Sequence, residues 1–152
     1  MITIQCDKNL GKIFLRLANS LNIQVKISDF SDNHTNIAII RNSENTKTPS
    51  ADYLIINSDD KTLANSISGK NCKIISCGFS NRSTVTISSI TETECVLCLQ
   101  RSLKSISGKT ISPFELPIKL YGIKFDDVSI IMMITSALLC DVPVSALNKI
   151  HL

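Results

Sequence analysis

The first 28 residues contain a strand, a helix and a second strand in close succession, and this order constrains the fold more than any other feature. Residues 2–6 alternate and are rich in β-branched side chains, which is typical of a strand. Apolar residues then recur at helical spacing from Leu10 to Leu21, and residues 23–27 again favour a strand. Because a parallel strand pair needs a crossover, this unit predicts a parallel sheet with a right-handed connection.

Three later segments extend the pattern. Residues 37–40 predict a short strand, and residues 52–57 form a continuous apolar run of the kind found in strands covered on both faces. The polar residues 58–60 offer an N-cap to a short helix, after which residues 72–77 predict another strand that ends at Gly78. We therefore expect four strands in one mainly parallel sheet with helices on both faces, namely residues 2–6, 23–27, 52–57 and 72–77.

The chain changes character after Gly78. Residues 84–90, 94–101 and 118–120 are β-rich runs separated by turn-forming Ser, Gly and Pro, and residues 107–109 predict a tight turn between two strands. The predicted fold class is therefore α/β: a mostly parallel Rossmann-like sheet with flanking helices, plus an antiparallel β meander in the second half.

The last long element is predicted to be a buried helix. Residues 128–140 are apolar nearly all round, and Asp126 and Asp127 precede them as capping residues. Pro143 can start a final short helix at its first position. The apolar run of residues 128–140 is well short of the roughly 20 residues that cross a bilayer. We find no linker or repeat, so residues 1–152 are expected to form a single domain.

Composition and charge exclude several classes of protein. A mean hydropathy of +0.18 argues against a disordered chain. The start lacks a basic segment before an apolar stretch, so no signal peptide is predicted and a cytoplasmic location is expected. The net charge is only +3, basic residues are scattered, and aromatic residues make up 5%. Nucleic-acid binding is not expected, because such proteins concentrate charge and use aromatic side chains for stacking.

Six cysteines allow either disulfides or a metal site in principle. In a chain with no predicted export signal, buried thiols are the expected state. Cys95 and Cys98 lie in a predicted strand, where an offset of three sends side chains to opposite faces. No second Cys pair stands at zinc spacing, so we predict free thiols and no metal.

Three stretches of the chain, in order, resemble the central domain of the Mur ligases, the ATP-dependent amide-forming enzymes of cell-wall precursor synthesis. The first is the strand, loop and helix of residues 2–21, with Gly11-Lys12 near the end of the loop. The second is DYLIINSDD at residues 52–60, followed by CKIISCGFS at residues 72–80. The third is LPIKLYGIKFDDVSIIMMITSALLCDVPVSAL at residues 116–147, similar to the family segment that opens a long Ala-rich helix.

The resemblance places a degenerate phosphate loop at the start of the first helix. The family motif Gly-Thr-x-Gly-Lys-Thr falls on residues 8–13, where only Gly11 and Lys12 match. The Mg²⁺-binding hydroxyl is replaced by Ile13, which cannot ligate a metal. The resemblance therefore leaves four candidates for a phosphate site, namely Lys8, Asn9, Gly11 and Lys12. A solvated lysine in the first helical turn is the alternative for Lys12.

Other parts of the family machinery have no counterpart. Only about 24 residues separate Ile27 from Asp52, too few for the family's insert with its metal-binding glutamate and modified lysine. Lys124-Phe125-Asp126-Asp127 stands where the family has a His-Asn pair near the adenine, and no C-terminal substrate domain is expected. Without the metal, phosphoryl transfer loses its main charge stabilisation.

The remaining polar candidates favour structural roles. The acidic pairs at residues 59–60 and 126–127 could ligate a cation, but helix capping explains both. His34 and His151 have no partners that the sequence alone identifies for a catalytic triad. Arg82 is expected at the surface rather than in an anion clamp. Arg101 is likewise expected at the surface, and Met132-Met133 is expected to fill the core. Gly78 and Gly122 are expected to serve the backbone geometry.

These observations favour a non-catalytic Mur-ligase-like domain that binds a protein partner or a small anionic ligand, with a possible link to cell-wall precursor metabolism. The alternatives are a residual nucleotide- or phosphate-binding protein, a ligase subunit that needs a second chain, and a structural homo-oligomer. An enzymatic role is disfavoured, and no cofactor, metal, membrane or nucleic-acid partner is expected.

Overall fold

A computed structural model describes residues 1–44, 48–67, 71–120 and 126–150. These residues form ten strands and four helices. The strands are β1 (Ile2–Gln5), β2 (Val25–Ser28), β3 (Thr35–Ile40), β4 (Ala51–Asn57), β5 (Lys73–Cys77), β6 (Val85–Ile90), β7 (Glu94–Leu99), β8 (Leu103–Lys104), β9 (Thr110–Ile111) and β10 (Phe114–Lys119). The helices are α1 (Lys8–Ser20), α2 (Lys61–Ser66), α3 (Asp127–Leu139) and α4 (Val144–Leu147).

Eight of the strands form one mixed sheet in the order β10-β7-β6-β5-β4-β3-β1-β2. The strands from β2 to β6 run parallel, although β5 and β6 share only the pair Cys77 and Val85. Strand β7 is antiparallel to both of its neighbours, β6 and β10. The α/β fold with a mostly parallel sheet and an antiparallel extension is confirmed, as is the placement of β1, β2, β4 and β5 in one parallel arrangement.

Helix α1 begins earlier than the sequence pattern predicts. The helical spacing of apolar residues begins only at Leu10, but the helix starts at Lys8 and Asp7 is its N-cap. The Asp7 carboxylate accepts hydrogen bonds from the backbone N–H groups of Asn9 and Leu10, at 3.1 and 3.0 Å. Capping satisfies amides that a helix would otherwise leave without partners, so the helix can begin at the two polar residues that precede Leu10.

Helices cover the two faces of the sheet unequally. Alternate residues of β3 and β4, such as Ile37 and Ile55, pack with α1 and α3 in a large apolar core. Their neighbours Ala38 and Leu54 point to the other face, where a smaller core is completed by Leu63 of α2. Because α2 has only six residues, the amino ends of the strands on this second face retain polar side chains.

Helix α3 is buried along most of its length, as predicted. Every residue from Ser129 to Leu139 is buried, and the Asp126 carboxylate caps the first turn by accepting from the Ser129 N–H at 2.8 Å. The hydroxyls of Thr135 and Ser136 donate to carbonyls one turn back, at 2.7 and 2.8 Å. Their burial therefore leaves no unsatisfied hydroxyl. Helix α4 starts at Val144, with Pro143 as its N-cap rather than its first residue.

The antiparallel part contains a longer final strand than predicted. β10 begins at Phe114, whereas the sequence favoured only residues 118–120. Pro117 lies inside this strand and lacks a backbone N–H, which weakens the strand signal. β10 pairs only with β7 and forms the edge of the sheet, where a proline is tolerated. The predicted turn at residues 107–109 joins β8 and β9, and Gly108 adopts a φ of +87° there.

Several sequence predictions fall outside the described residues. They concern Gly69 as a helix C-cap, Gly122, the segment Lys124-Phe125 and His151. Among the helices that the structure describes, none is long and apolar enough to cross a membrane.

All six cysteines lie in the described ranges and are thiols rather than disulfides. Cys95 is buried while Cys98 is half-buried on the opposite face of β7, which confirms the prediction from their spacing. Burial raises the pKa of Cys6 and Cys77 to about 12 and that of Cys95 to about 11. The thiolate is the reactive form, so these three groups should be inert in the folded protein.

A thiol titration tests this state. We expect six reactive thiols in denaturant without reductant, whereas Cys6, Cys77 and Cys95 should react in the native protein only at the rate of unfolding. The assay is the absorbance of thionitrobenzoate released from a disulfide reagent at pH 8. A count below six in freshly purified, denatured protein would contradict the assignment.

Candidate functional site at the carboxyl edge of the sheet

The carboxyl ends of β1 and β3 lie where the sheet changes its direction of winding. From β1 the chain passes through α1 to β2 on one side, whereas β3 lies on the other side of β1 and is followed by β4 further along that side. In open α/β sheets, ligands bind where the direction of winding reverses in this way. The residues that follow these two strands are Cys6-Asp7 and Arg41.

Arg41 joins the starts of two helices at this position. Its Nε and Nη2 donate to the two oxygens of the Asp7 carboxylate, at 2.6 and 2.7 Å. Its Nη1 donates to Ser129 Oγ at 3.1 Å and lies 3.6 Å from Asp126 Oδ2. The Arg41 and Asp7 side chains are only 26% and 31% exposed, so this bidentate pair is partly shielded from water.

The Asp7 carboxylate occupies the position that a bound phosphate would take at the start of α1. The amides of Asn9 and Leu10 point to it, and a guanidinium neutralises it from the other side. The same amides and the same cation are the groups that would otherwise recognise an anion. With Asp126 nearby, the three charged side chains carry a net charge of −1, which disfavours a second anion.

The four phosphate-site candidates lie in the first turns of α1 rather than in a loop. Lys8 Nζ is 3.6 Å from Asp29 Oδ2 in an exposed pair, and Asn9 and Lys12 are also exposed. Gly11 is buried, and a Cβ there would lie 3.0 Å from Ile27 Cγ2. Gly11 is therefore the residue that lets α1 approach β2 closely.

The Asn-Ser-Asp-Asp segment after β4 connects neighbouring parts of this edge. Asn57 Nδ2 donates to the Arg41 carbonyl at 3.0 Å, and Ser58 Oγ donates to the Cys77 carbonyl at 3.1 Å. Asp60 caps α2 by accepting from the Leu63 N–H at 3.0 Å. The hydrogen bonds that the Asp60 carboxylate accepts from the backbone N–H groups of Leu63 and Ser43 lower its pKa. These contacts of the segment hold the fold together.

Gly78 is required by a close approach at the end of β5. A Cβ at this position would lie 2.6 Å from Asp59 Oδ1 and 2.8 Å from Ser58 Oγ. The Asp59 carboxylate accepts from the Phe79 N–H at 3.0 and 3.2 Å. Asp59 therefore fixes the turn after β5, and the prediction that both acidic residues cap α2 holds for Asp60 alone.

The described residues offer little for a metal. Among residues 1–44, 48–67, 71–120 and 126–150, no group of three or more His, Cys, Asp or Glu side chains is arranged to hold a metal ion. Cys6 is the thiol next to the candidate site, and burial together with the charge of Asp7 raises its pKa to about 12. It is a core thiol rather than a nucleophile.

Sequence reasoning missed two groups of polar residues. The sequence alone gives Arg41 no role, although its position directly after the apolar run 37–40 marks the carboxyl end of a strand. The sequence alone also identifies no triad partners for His34, whereas the structure gives its ring two hydrogen-bond partners. Its ring nitrogens lie 2.9 Å from Ser50 Oγ and 2.9 Å from Asp52 Oδ1.

Comparison of the chain with models of protein families gives no match, and comparison with curated proteins gives no significant match.

Proposed function

We propose that this chain is a non-catalytic relative of the central domain of the Mur ligases, which binds a protein partner or a small anionic ligand and does not carry out ATP-dependent ligation. The observation that carries the proposal is the Asp7 carboxylate on the Asn9 and Leu10 amides, bound by Arg41. A nucleotide would have to displace this carboxylate before its phosphates could reach the start of α1.

The fold supports the relationship to the Mur ligases. The parallel strands, the segment after β4 and the long buried helix α3 follow one another in the order that the resemblance implies. The chemistry of the family is less compatible with these residues. Ile13 is half-buried in α1 and offers no oxygen for Mg²⁺, so the main source of charge stabilisation in phosphoryl transfer is missing at this position.

Residual anion binding is the second candidate, and Arg41 favours it. Its contact with Asp126 is long, at 3.6 Å, and the Asp126 side chain is 61% exposed. An anion could replace Asp126 as the third partner of the guanidinium while Asp7 stays in place. Such binding would be weak, because a helix terminus and one shared cation supply only about 0.3–1 kcal/mol per contact. A ligase subunit completed by a second chain would use the same groups.

We expect no ATP hydrolysis above the buffer rate and no micromolar binding of Mg-ATP. Steady-state phosphate release measures the first, and isothermal titration with ATP, ADP, UDP-sugars and inorganic phosphate measures the second. The matched variants are Lys12→Ala and Asp7→Asn. If the wild type hydrolysed ATP and Lys12→Ala abolished the activity, the ligase-subunit alternative would replace the proposal. Size-exclusion chromatography with light scattering measures any homo-oligomer in the same samples.

A further inference from the structure

A second cluster of polar side chains lies at the amino edge of the sheet, opposite the site described above. His34 Nδ1 is 2.9 Å from Ser50 Oγ, and His34 Nε2 is 2.9 Å from Asp52 Oδ1. Serine, imidazole and carboxylate are thus joined in sequence by two hydrogen bonds. Nucleophilic serines in hydrolases are activated by the same order of groups, which occurs on unrelated folds.

The register of β3 and β4 brings these residues together. Thr35 pairs with Ala51 and Ile37 with Tyr53, so the residues between and before them lie side by side. Side chains alternate along a strand, and therefore the polar neighbours share one face. These neighbours are His34 directly before β3 with Asn36 inside it, and Ser50 directly before β4 with Asp52 inside it.

The carboxylate in this cluster is held in place from a third strand. Asn36 Nδ2 donates to Asp52 Oδ2 at 3.1 Å. The Asn36 side-chain oxygen accepts from the N–H and the hydroxyl of Thr3, at 3.0 and 3.1 Å. The amide is thereby fixed in one orientation, with its NH₂ group towards Asp52. Asp52 can then accept from both His34 and Asn36 without rotating.

This arrangement selects one tautomer of the imidazole. The carboxylate accepts from an N–H at Nε2, so the lone pair of the neutral ring is at Nδ1 and faces the Ser50 hydroxyl. We propose that Ser50 is a nucleophile activated by His34, with Asp52 and Asn36 as positioning residues, and that it is acylated by esters of short acyl groups. The proposal is independent of the carboxyl-edge site and goes beyond its function.

The reaction proceeds by two balanced acyl transfers. Ser50 Oγ attacks the ester carbonyl carbon while its proton passes to His34 Nδ1, and the bond to the leaving oxygen breaks as His34 returns the proton to it. Water then attacks the acyl carbon and loses a proton to His34 Nδ1, and the bond to Ser50 Oγ breaks as His34 returns that proton to the serine oxygen. The products are an alcohol, a carboxylic acid and the regenerated serine.

The surroundings indicate a small, accessible substrate. The side chains of His34 and Asp52 are 57% and 50% exposed, so an ester can reach Ser50 without a conformational change. A cleft of about 510 Å³ shares Asp52 with the cluster and is otherwise lined by residues 53, 71–73 and 106. Exposure to water limits the gain from the imidazole, so we place it at the lower end of the usual range for general bases, about 100-fold.

Labelling with a fluorophosphonate probe tests the proposal in the intact chain. We expect the adduct on Ser50, located by peptide mass spectrometry, to form about 100-fold faster than on Ser107. Ser107 is the matched control, since its hydroxyl donates to Asp141 at 2.7 Å and lies 3.1 Å from Ser105 Oγ rather than beside an imidazole. Ser107→Ala should leave the labelling unchanged, whereas Ser50→Ala should abolish the fast adduct and the hydrolysis of p-nitrophenyl acetate.

Variants of the other residues separate activation from a structural role. His34→Ala should slow labelling to the rate of Ser107, and imidazole added to the buffer should restore part of it. Asp52→Asn should slow labelling and Asp52→Glu should recover part of the rate, with circular dichroism and thermal melting showing that each variant is folded. His34→Gln replaces His34→Ala if the latter does not fold. Labelling of Ser50 no faster than Ser107, or unchanged by the His34 variants, would overturn the proposal.

Discussion

Replacing Arg41 by methionine is expected to lower the free energy of unfolding by about 3 kcal/mol and the melting temperature by roughly 6–12 °C. The substitution keeps the length and packing of the side chain but removes the cation between Asp7 and Ser129. The Asp7 carboxylate would then remain partly shielded from water with no counter-charge. The loss is large because one partner of a shielded pair remains without the other.

The control for Arg41→Met is a substitution in an exposed ion pair at the start of the same helix, α1. Lys8 and Asp29 lie 3.6 Å apart with side chains 79% and 57% exposed, so Lys8→Met should change stability by no more than about 0.5 kcal/mol. Urea denaturation followed by circular dichroism gives both values. A double-mutant cycle with Asp7→Asn measures the coupling in the Arg41 pair. Equal effects of Arg41→Met and Lys8→Met would contradict the network described here.

The fold follows from features that the sequence displays locally. The helical spacing of apolar residues before Leu21, the alternation before Cys6 and the continuous apolar run before Asn57 each report how one segment is buried. Burial on both faces is a property of a central parallel strand, so these segments also indicate the type of sheet. The antiparallel extension was predictable as a group of β-rich runs, whereas the start of β10 was not, because its edge position is a property of the whole sheet.

The phosphate-site prediction shows what local reasoning lacks. Gly11-Lys12 after a strand fits a phosphate loop and also the first turns of a capped helix. The choice is made by Asp7, whose carboxylate caps the helix, and by Arg41, which lies 34 residues away in sequence and neutralises it. No spacing rule connects these two residues. The prediction that phosphate binds at Lys8, Asn9, Gly11 or Lys12 stays a prediction, to be tested by titration.

The cluster of His34, Ser50 and Asp52 at the amino edge is also formed by residues that are distant in sequence. His34 and Ser50 are 16 residues apart and stand in polar segments that precede two strands. They meet only because β3 and β4 are adjacent and in a particular register. A sequence signal did exist: each strand start carries polar residues at positions i and i+2, as in His34 with Asn36. Pairing the predicted strands in order would have placed the four side chains on one face.

Alkaline pH is expected to lower the free energy of unfolding by roughly 10 kcal/mol between pH 9 and pH 11, the largest effect that the structure predicts. Burial raises the pKa of Cys6, Cys77 and Cys140 from 9.0 to about 12. Burial, with the nearby charge of Asp127 second, raises the pKa of Cys95 to about 11. The folded state therefore keeps these protons over a range in which the unfolded chain loses them.

The sign follows from proton linkage. Below pH 9 both states hold the thiol protons, and the contribution to stability is complete. Above pH 9 the unfolded chain ionises first, so each thiol removes up to about 1.4 kcal/mol of stability per pH unit until its folded pKa is reached. Four thiols together give a slope of roughly 5 kcal/mol per pH unit. Two such units remove roughly 10 kcal/mol, so a domain in the lower half of the usual range of about 5–15 kcal/mol would unfold.

Urea denaturation at pH 7, 9, 10 and 11, with a reductant that prevents oxidation, measures the slope. Cys77→Ala should reduce it by about 1.4 kcal/mol per pH unit, because one fully buried thiol no longer ionises on unfolding. Cys98→Ala is the matched control, since Cys98 is half-buried whereas Cys77 is buried. A free energy of unfolding that stays constant from pH 9 to pH 11, or an equal change of slope in the two variants, would show that the buried thiols do not control alkaline stability.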